Sequence, residues 1–392
     1  MEQDYKQEKY NIGIIGAGAS GCICAYFLAK SGFSVTLFDK GSPLRTLLPT
    51  GGGRCNLAHA EYDIKDLAKN YPRGEKFLYS IFSKFATYDT ISLFEELGIK
   101  TYTQENGRIF PKTNSAKDVR DAVLNSLKSK AIIENEEVID VKVLTNGFKI
   151  KTLKPTSSKQ NEYFFTHLIF ATGGHSGYGL LENLGIKIIE PKPSLVGLKT
   201  LEKFNELSGT VCKSVQVDGI CDDLLFTHFG VSGPLIFKIS SLNAKKDLPY
   251  KISLDLAPNL NDLQERLNSS PHKEIKNILS DFLPTKVVKF ILDKTDETTK
   301  AHRIDSKTRD IILERIHNFE INIIGTNKGE ETVTAGGVDL KEINPKTMET
   351  KNIQKLYCIG EVLDIDGFCG GFNLQNAWST AYVASQGIIE SA

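Results

Sequence analysis

Apolar positions near the start of the chain change from a strand pattern to a helix pattern within a few residues. The apolar run Asn11–Ile15 is typical of a buried parallel strand. Small and apolar residues then follow with helical periodicity over Cys22–Lys30, and a second apolar run, Ser34–Phe38, ends at Asp39. This order predicts a strand, a helix and a second parallel strand at the start of a doubly wound sheet.

The same patterns continue to about residue 190. Helical periodicity covers residues 62–100, and Ser115 is expected to cap a helix over Ala116–Lys130. Further strands are expected at Arg108–Pro111, Ile132–Asp140, Phe148–Thr152 and Tyr163–Phe170. Together they predict a β-meander laid across a parallel sheet.

From Glu190 the pattern changes to separated strands followed by a lysine-rich helical stretch. Strand character like that of the first part returns at Thr332–Val338 and Lys355–Ile359. We therefore expect an α/β domain over residues 1–190 and 325–392, interrupted by an inserted domain over residues 191–324.

Glycines at 16, 18 and 21 form a G-x-G-x-x-G motif between the first strand and the first helix. The first glycine allows a tight turn, the second lets the backbone approach a pyrophosphate, and the third packs the helix against the sheet. The pyrophosphate would lie at the helix N-terminus, and Asp39 has the spacing of a carboxylate that binds the adenosine ribose. The motif predicts an ADP-containing cofactor.

Four glycine-containing segments require one common explanation: Gly16–Gly21, Thr50–Asn56, Ala171–Gly174 and Gly360–Leu374. NAD would use only the first of them, whereas FAD has a ribityl chain and a ring system that need backbone access at further points. Glu361 is a candidate for the ribityl hydroxyls. The N-terminus of a helix beginning near Gly371 would direct N–H groups at the pyrimidine edge of the flavin and stabilise its anionic reduced form.

The composition excludes several classes of protein. Lys and Arg total 48, as do Asp and Glu, so there is no global electrostatic case for a nucleic acid or an anionic membrane as a partner. The polar start of the chain lacks a signal-peptide core, and no apolar stretch reaches the ~18 residues of a membrane span. We expect a cytoplasmic protein that acts on a small molecule, with no membrane partner and no metal site.

The cysteines and histidines give no catalytic assignment. No C-x-x-C motif is present, and we interpret Cys22, Cys24, Cys55 and Cys369 as structural, which argues against a disulfide reductase. His175 follows a glycine-rich turn, where a structural or exposed role is favoured over acid–base catalysis. Trp378 is expected to pack in the core.

Six motifs carry a resemblance to a known family: IIGAGASG (14–21), TGGGRCN (50–56), FATGG (170–174), FTHFGVSGP (226–234), TAGGVDLKEINPKTMETK (334–351) and IGEVLDIDGFCGGFNLQNAWSTAYVAS (359–385). The chain resembles the HI0933-like bacterial flavoproteins, which include bile-acid dehydrogenase and aminoacetone oxidase branches. The resemblance covers nearly the whole chain. It implies a glutathione-reductase-like Rossmann domain that binds FAD, with an inserted domain of β-barrel and helical parts.

The resemblance also implies where FAD is held. Asp39 would bind the adenosine ribose, the backbone of Val138 the adenine, and Glu361 the ribityl chain. The full set of expected cofactor residues is Gly16, Gly18, Ala19, Ser20, Gly21, Asp39, Lys40, Gly52, Gly53, Arg54, Cys55, Asn56, Val138, Ala171, Thr172, Gly173, Gly360, Glu361, Gly371, Phe372, Asn373 and Leu374. Two segments, 42–46 and 175–179, depart from the family pattern, and the second weakens any transfer of substrate specificity.

These expectations define an FAD-dependent oxidoreductase that moves a hydride between a small organic substrate and flavin N5. Only one G-x-G-x-x-G motif is present, so NAD(P)H would be a transient electron donor. An oxidase that uses molecular oxygen is the alternative. A flavin-dependent RNA-modifying enzyme and a non-catalytic flavin-binding protein are further alternatives, and the neutral charge counts against the former.

Overall fold

Internal contacts divide the chain into two units in the computed structural model, which describes residues 10–155, 157, 159–293, 295–327 and 333–392. The first unit comprises Met1–Lys192 and Val333–Ala392, and the inserted unit comprises Pro193–Thr332. The boundaries between the units fall at 192/193 and 332/333, whereas the sequence analysis placed them at 190/191 and 324/325. The polar segment 1–9, on which the signal-peptide argument rests, lies outside the described residues.

The strands are β1 (Asn11–Ile15), β2 (Ser34–Phe38), β3 (Ala58–His59), β4 (Thr101–Thr103), β5 (Arg108–Pro111), β6 (Ile132–Glu134), β7 (Glu137–Leu144), β8 (Gly147–Leu153), β9 (Gln160–Phe165), β10 (His167–Phe170), β11 (Ile188–Ser194), β12 (Leu198–Thr200), β13 (Val211–Val217), β14 (Ile220–Thr227), β15 (Gly230–Ser232), β16 (Tyr250–Leu254), β17 (Phe319–Thr326), β18 (Val333–Val338) and β19 (Leu356–Cys358). The helices are α1 (Ala19–Lys30), α2 (Thr50–Gly53), α3 (Ile64–Ala68), α4 (Glu75–Phe82), α5 (Thr87–Glu96), α6 (Ala116–Leu127), α7 (Tyr178–Asn183), α8 (Pro234–Leu242), α9 (Leu263–Ser269), α10 (Ile275–Leu279), α11 (Thr285–Leu292), α12 (Ser306–His317) and α13 (Phe372–Ser391).

A five-stranded parallel sheet in the order β19-β10-β1-β2-β6 lies at the centre of the first unit. Strand β1 is central, and its residues Ile12 and Ile14 are fully buried because both faces of a parallel sheet are covered. Both strands and the helix expected at the start of the chain are present. The Rossmann-type α/β fold is therefore confirmed.

Two predicted strands are each divided in the structure. The expected strand Ile132–Asp140 is wrong as a single element: β6 pairs with β2 in the parallel sheet, and β7 belongs to an antiparallel meander with β8 and β9. The buried carboxylate of Glu136 lies at the break and accepts hydrogen bonds from Thr152 and Asn161. Likewise β9 pairs with β8, whereas β10 pairs with β1, so Tyr163–Phe170 changes sheets at Thr166.

The helical region between residues 62 and 100 consists of three helices. Helices α3 and α4 are separated by a turn in which Gly74 has φ +90°, a conformation that glycine adopts without strain. The expected cap of α6 is confirmed, because the Ser115 hydroxyl accepts a hydrogen bond from the Asp118 N–H at 3.2 Å. That helix ends at Leu127, three residues earlier than expected.

The inserted unit contains a six-stranded sheet in the order β13-β14-β15-β12-β17-β16, together with helices α8 to α12. Its core is its own, with the fully buried side chains of Leu224, Phe226 and Ile321 among its members. A pair of backbone hydrogen bonds between Gln216 and Asp255 links the first strand to the end of the last. The expected β-barrel stays a prediction.

Trp378 lies in the core of the first unit, as expected. Its side chain is fully buried, its indole N–H donates to the Leu57 carbonyl at 3.0 Å, and its ring meets Phe94 edge to face. It therefore fixes α13 against the chain just before β3. No helix within the described ranges is long and apolar enough to cross a membrane.

Candidate cofactor site

The first glycine turn, residues 16–21, connects β1 to α1 and uses its three glycines differently. A Cβ atom on Gly16, whose φ is +105°, would lie 2.3 Å from the Ala171 carbonyl oxygen. A Cβ on Gly21 would lie 2.0 Å from the Gly16 carbonyl oxygen. A Cβ on Gly18 would meet no atom within 4 Å. The fold therefore requires Gly16 and Gly21, whereas Gly18 borders open space that a ligand could enter.

The start of α1 offers hydrogen-bond donors to that space. Helix geometry leaves the first N–H groups, including those of Ala19 and Ser20, without an acceptor inside the helix, and Gly18 supplies no side-chain cap. The positive end of the helix dipole lies at the same place. This is the arrangement that binds phosphate groups at helix N-termini.

Asp39 at the end of β2 is held by two backbone N–H groups. Its Oδ2 accepts from Ala17 at 2.9 Å and its Oδ1 accepts from Gly41 at 2.8 Å. The carboxylate is thus fixed beside the first glycine turn, where the motif places the ribose-binding acid. The neighbouring Lys40 is exposed and pairs with Glu137 at 3.1 Å. Val138 is buried on β7, one residue further.

The segment Thr50–Asn56 is a chain of left-handed turns. Gly51, Gly52 and Gly53 have φ of +58°, +69° and +83°, and Cys55 has φ +63°. The label α2 therefore denotes a turn and not a regular helix. A Cβ on Gly52 would meet nothing within 4 Å, so the backbone there is as accessible as at Gly18.

Two side chains shape this segment. The Arg54 guanidinium lies 4.2 Å above the centre of the Phe110 ring, and its Nε donates to the Gly51 carbonyl at 3.2 Å. Asn56 is 8% exposed, and its Oδ1 is buried with no hydrogen-bond partner within the described part of the chain. A buried amide oxygen without a donor is costly, so a ligand hydroxyl or N–H would complete this site.

Glu361 joins two other segments of the expected site. Its Oε1 accepts from the Thr334 N–H at 2.9 Å, and a Cβ on Gly174 would lie 2.8 Å from the same oxygen. Burial raises the pKa of Glu361 above its ordinary value, while the N–H groups of Thr334 and Gly174 oppose that shift. The carboxylate is thus fixed between the turn after β10 and the start of β18.

Two further buried hydroxyl oxygens belong to the turn after β10 and to the first residue of α7. The hydroxyl oxygens of Thr172 and Tyr178 have no hydrogen-bond partner among residues that the structure describes. Burial raises the pKa of Tyr178, and the negative charges of Glu361 and Asp364 raise it further. Sequence reasoning included Thr172 and missed Tyr178, for which no motif gave a signal.

The second glycine loop, residues 366–371, leads into α13. Gly371 has φ +98°, and a Cβ there would lie 2.5 Å from the Ala58 carbonyl oxygen. The Asn373 side chain makes two hydrogen bonds with the backbone of Gly367, at 2.8 Å and 2.7 Å. The side chain is therefore occupied, and only the backbone amides at Asn373 and Leu374 remain as candidates for a flavin edge.

Side chains from a distant part of the sequence fasten this loop. The buried Asp366 carboxylate forms a two-pronged ion pair with Arg73, and the Tyr71 hydroxyl donates to the Phe372 carbonyl at 2.6 Å. The His59 Nδ1–H donates to the Gly370 carbonyl at 3.1 Å, and its ring stacks on Phe372 at 4.7 Å. Sequence reasoning missed His59, Tyr71, Arg73 and Asp366.

None of the cysteines that the structure describes forms a disulfide. Cys22, Cys24 and Cys55 are buried, and burial raises the pKa of each thiol, for Cys55 to about 12. Such thiols stay protonated and are poor redox nucleophiles. Cys369 is exposed within the second glycine loop, and His175 is exposed after the turn at Gly174. The described residues contain no group of three or more side chains suited to a metal ion.

The sequence matches the model of the HI0933-like protein Rossmann domain over residues 10–387. The chain belongs to the HI0933-like family. This confirms the family predicted from the six motifs. This chain is 35% identical to a ribosomal RNA dihydrouridine synthase of Haemophilus influenzae, over 96% of its own length and 97% of that protein. It is 28% identical to a 3-dehydro-bile acid delta(4,6)-reductase of Clostridium scindens, over 97% and 99% of the two chains.

A solved structure with the same fold is that of 3-ketosteroid delta1-dehydrogenase from Sterolibacterium denitrificans. It aligns with a TM-score of 0.53 at 12% identity, over 98% of this chain and all of the other. At that identity the likeness shows the fold alone. The family and its named relatives make the protein an enzyme of the oxidoreductase class, as the sequence analysis predicted.

Proposed function

We propose that the protein is an FAD-dependent reductase that adds two hydrogens across the C5=C6 bond of a uridine in ribosomal RNA. The observation that carries this proposal is the 35% identity to a ribosomal RNA dihydrouridine synthase over nearly the full length of both chains. Such coverage includes both units, so the likeness is not confined to a cofactor-binding module.

The residues present fit FAD. The space above Gly18 and Gly52 is open to a ligand at two separate turns, and the buried oxygens of Asn56 and Thr172 have no partner within the described residues. A cofactor that extends from the first glycine turn past these segments would fill the space and supply the missing hydrogen bonds.

Different segments of the chain would bind different parts of FAD. The N–H groups at the start of α1 bind the pyrophosphate and Asp39 orients the ribose. Glu361, fixed by Thr334, orients the ribityl chain. The N-terminus of α13 directs its amides and its positive dipole end at developing negative charge. Bound FAD would supply hydride chemistry at its N5 atom.

The overall reaction balances with a nicotinamide as the reductant. The C5=C6 bond of uracil is conjugated to a carbonyl group, so one carbon accepts a hydride and its neighbour accepts a proton. NADPH or NADH supplies the two electrons. Because the chain carries a single G-x-G-x-x-G motif, the nicotinamide would bind only transiently. A cytoplasmic location, where ribosomal RNA is found, belongs to the same proposal.

The balance of 48 basic and 48 acidic residues led the sequence analysis to prefer a small-molecule substrate. The RNA substrate is the first candidate because the 35% identity to the ribosomal RNA dihydrouridine synthase exceeds the 28% identity to the bile-acid reductase. A neutral protein gains little from attraction to phosphates, so we expect RNA binding with a weak dependence on salt.

Reduction of a small unsaturated ketone is the second candidate. It is favoured by the 28% identity to the bile-acid delta(4,6)-reductase, again over nearly the whole chain. The two candidates share a chemistry, the reduction of a carbon–carbon double bond conjugated to a carbonyl, and differ in what surrounds that bond.

Anaerobic turnover tests the proposal. The enzyme reconstituted with FAD is mixed with NADPH or NADH and an unmodified ribosomal RNA transcript, and nucleosides are analysed by mass spectrometry. Parallel reactions contain a 3-oxo-4,6-diene bile acid or air in place of RNA. The Gly18→Val variant serves as the control because its fold should be intact while the cofactor is excluded.

Dihydrouridine formed only with reductant and the wild-type enzyme supports the proposal. Reduction of the bile acid with unchanged RNA would select the second candidate. Flavin reoxidation by air without reduction of either substrate would select an oxidase and reject both.

A further inference from the structure

Two tyrosines form an exposed stacked pair on the surface of the first unit. Tyr62, between β3 and α3, is 43% exposed, and Tyr88, in the first turn of α5, is 65% exposed. Their ring centres are 4.3 Å apart and their planes differ by 24°. Neither hydroxyl makes a hydrogen bond to any residue that the structure describes. The two rings together present an aromatic surface to solvent.

The backbone beneath both rings is fastened. The Thr87 hydroxyl, fully buried, donates to the Glu61 carbonyl at 2.8 Å and so joins the two chain segments next to the rings. The Ala60 N–H donates to the Gly107 carbonyl at 2.7 Å, and Asp89 caps the start of α5 through the Ala86 N–H. The pair is therefore held before any partner arrives, which lowers the entropy lost on binding.

Tyr62 is close in sequence to His59, a residue that contacts the second glycine loop. Tyr62 follows His59 by three residues, and three residues span at most about 11 Å. His59 contacts both Gly370 and Phe372 at the start of α13. The Cα atom of Tyr62 is thus within about 11 Å of that of His59, which contacts the loop expected to border the flavin.

The charged side chains nearest the pair in sequence are mostly acidic. The nearest acidic residues in sequence are Glu61, Asp63 and Asp89. The nearest basic residue is Lys65. Asp63 caps α3 and Asp89 caps α5, so both carboxylates are fixed near the rings. These carboxylates give the surface no attraction for a phosphate backbone, so a nucleic acid would bind here through its bases, which stack on an aromatic face whatever their identity.

We propose that Tyr62 and Tyr88 form a stacking platform for a nucleobase of single-stranded ribosomal RNA that neighbours the reacting uridine. The inference rests on the proposed function. An enzyme that reacts with a base must take that base out of its stack, and the neighbouring base then loses a stacking partner. The open face of the Tyr88 ring replaces that partner and extends the tyrosine stack by one ring.

Fluorescence anisotropy with a labelled single-stranded ribosomal RNA fragment tests the platform in the FAD-loaded enzyme. We expect Tyr88→Ala and Tyr62→Ala to weaken binding about tenfold, because base stacking on an aromatic ring has this magnitude. Tyr88→Phe keeps the ring and should bind within about twofold of wild type. Phe164→Ala removes another exposed ring, 58% exposed on β9, and should leave binding unchanged.

Two further readouts separate stacking from other causes. The slope of log Kd against log salt should be the same in wild type and Tyr88→Ala, because no charge is removed. NADPH should bleach the flavin of every variant at the wild-type rate, because the cofactor site is not changed. Sedimentation without RNA should give the same mass for wild type and Tyr88→Ala.

Equal affinity of wild type and Tyr88→Ala would overturn the platform, as would failure of the wild type to bind any RNA fragment. A loss of self-association in Tyr88→Ala would also overturn it and assign the pair to a contact between copies. Tyrosine-dependent RNA binding without dihydrouridine formation would keep the platform and reject the proposed function. Dihydrouridine formed with tyrosine-independent binding would do the reverse.

Discussion

Two glycine-rich segments of the candidate site, the first glycine turn and the second glycine loop, are held in different ways. In the first glycine turn, backbone meets backbone: Gly16 lies against Ala171, and Gly21 lies against Gly16. In the second glycine loop, Gly371 also lies against backbone, but the loop is fastened by side chains such as His59 and Arg73. The first turn therefore depends on glycines packed against backbone, and the second depends also on side chains about 300 positions away.

The largest expected effect is that of Gly21→Val. The new Cβ would lie 2.0 Å from the Gly16 carbonyl oxygen, where neither strand nor helix can yield. We expect a loss of about 4–5 kcal/mol in the free energy of unfolding, measured by denaturant titration of the apo protein. Gly18→Ala, in open space at φ −81°, should lose less than about 1 kcal/mol. Equal losses would remove the distinction between the two glycines.

The second glycine loop is expected to lose stability when its ion pair is removed. Arg73→Met removes the guanidinium from the fully buried carboxylate of Asp366, and we expect a loss of about 3 kcal/mol on unfolding. Lys69→Met removes an exposed lysine paired with Asp66 and should leave the free energy of unfolding nearly unchanged. A similar small loss in both variants would show that the loop does not depend on Arg73.

The strand that leads to Ala171 carries a pH-dependent group. His167 on β10 is 2% exposed, and burial, with a smaller contribution from Lys355, lowers the pKa of its imidazole to about 4. The unfolded chain binds a proton near pH 6.5, so this contribution is complete above pH 6.5 and is lost as the pH falls toward 4. Wild type should lose up to about 1.4 kcal/mol per pH unit more than His167→Gln in that window. Parallel stability curves would contradict this.

His59 gives the smallest effect. His59→Phe keeps a ring to stack on Phe372 and loses the hydrogen bond to the Gly370 carbonyl, so we expect the FAD dissociation constant to rise about fivefold. His302→Phe is the matched control, because His302 makes the same type of bond to the Pro271 carbonyl at 2.7 Å in the inserted unit. Calorimetric titration with FAD measures both. An unchanged FAD dissociation constant in His59→Phe would show that this hydrogen bond to the loop does not contribute to cofactor binding.

The same contrast explains what the sequence could predict. The first strand, helix and second strand follow from local periodicity, and the roles of Gly16 and Gly21 follow from a six-residue motif. The pairing of Arg73 with Asp366, separated by 293 positions, leaves no local signal. Glu136 likewise has the pattern of a strand residue, yet its buried carboxylate ends one sheet and begins another.

The central claim is that the open space above Gly18 is the place of an FAD pyrophosphate. It is tested most directly by the FAD content of purified wild type and Gly18→Val, read from the flavin released on denaturation. We predict about one FAD per wild-type chain and almost none in the variant, with the same circular dichroism and with melting temperatures of the apo proteins within about 4 °C of each other. A Gly18→Val protein that retains FAD as the wild type does would contradict the account.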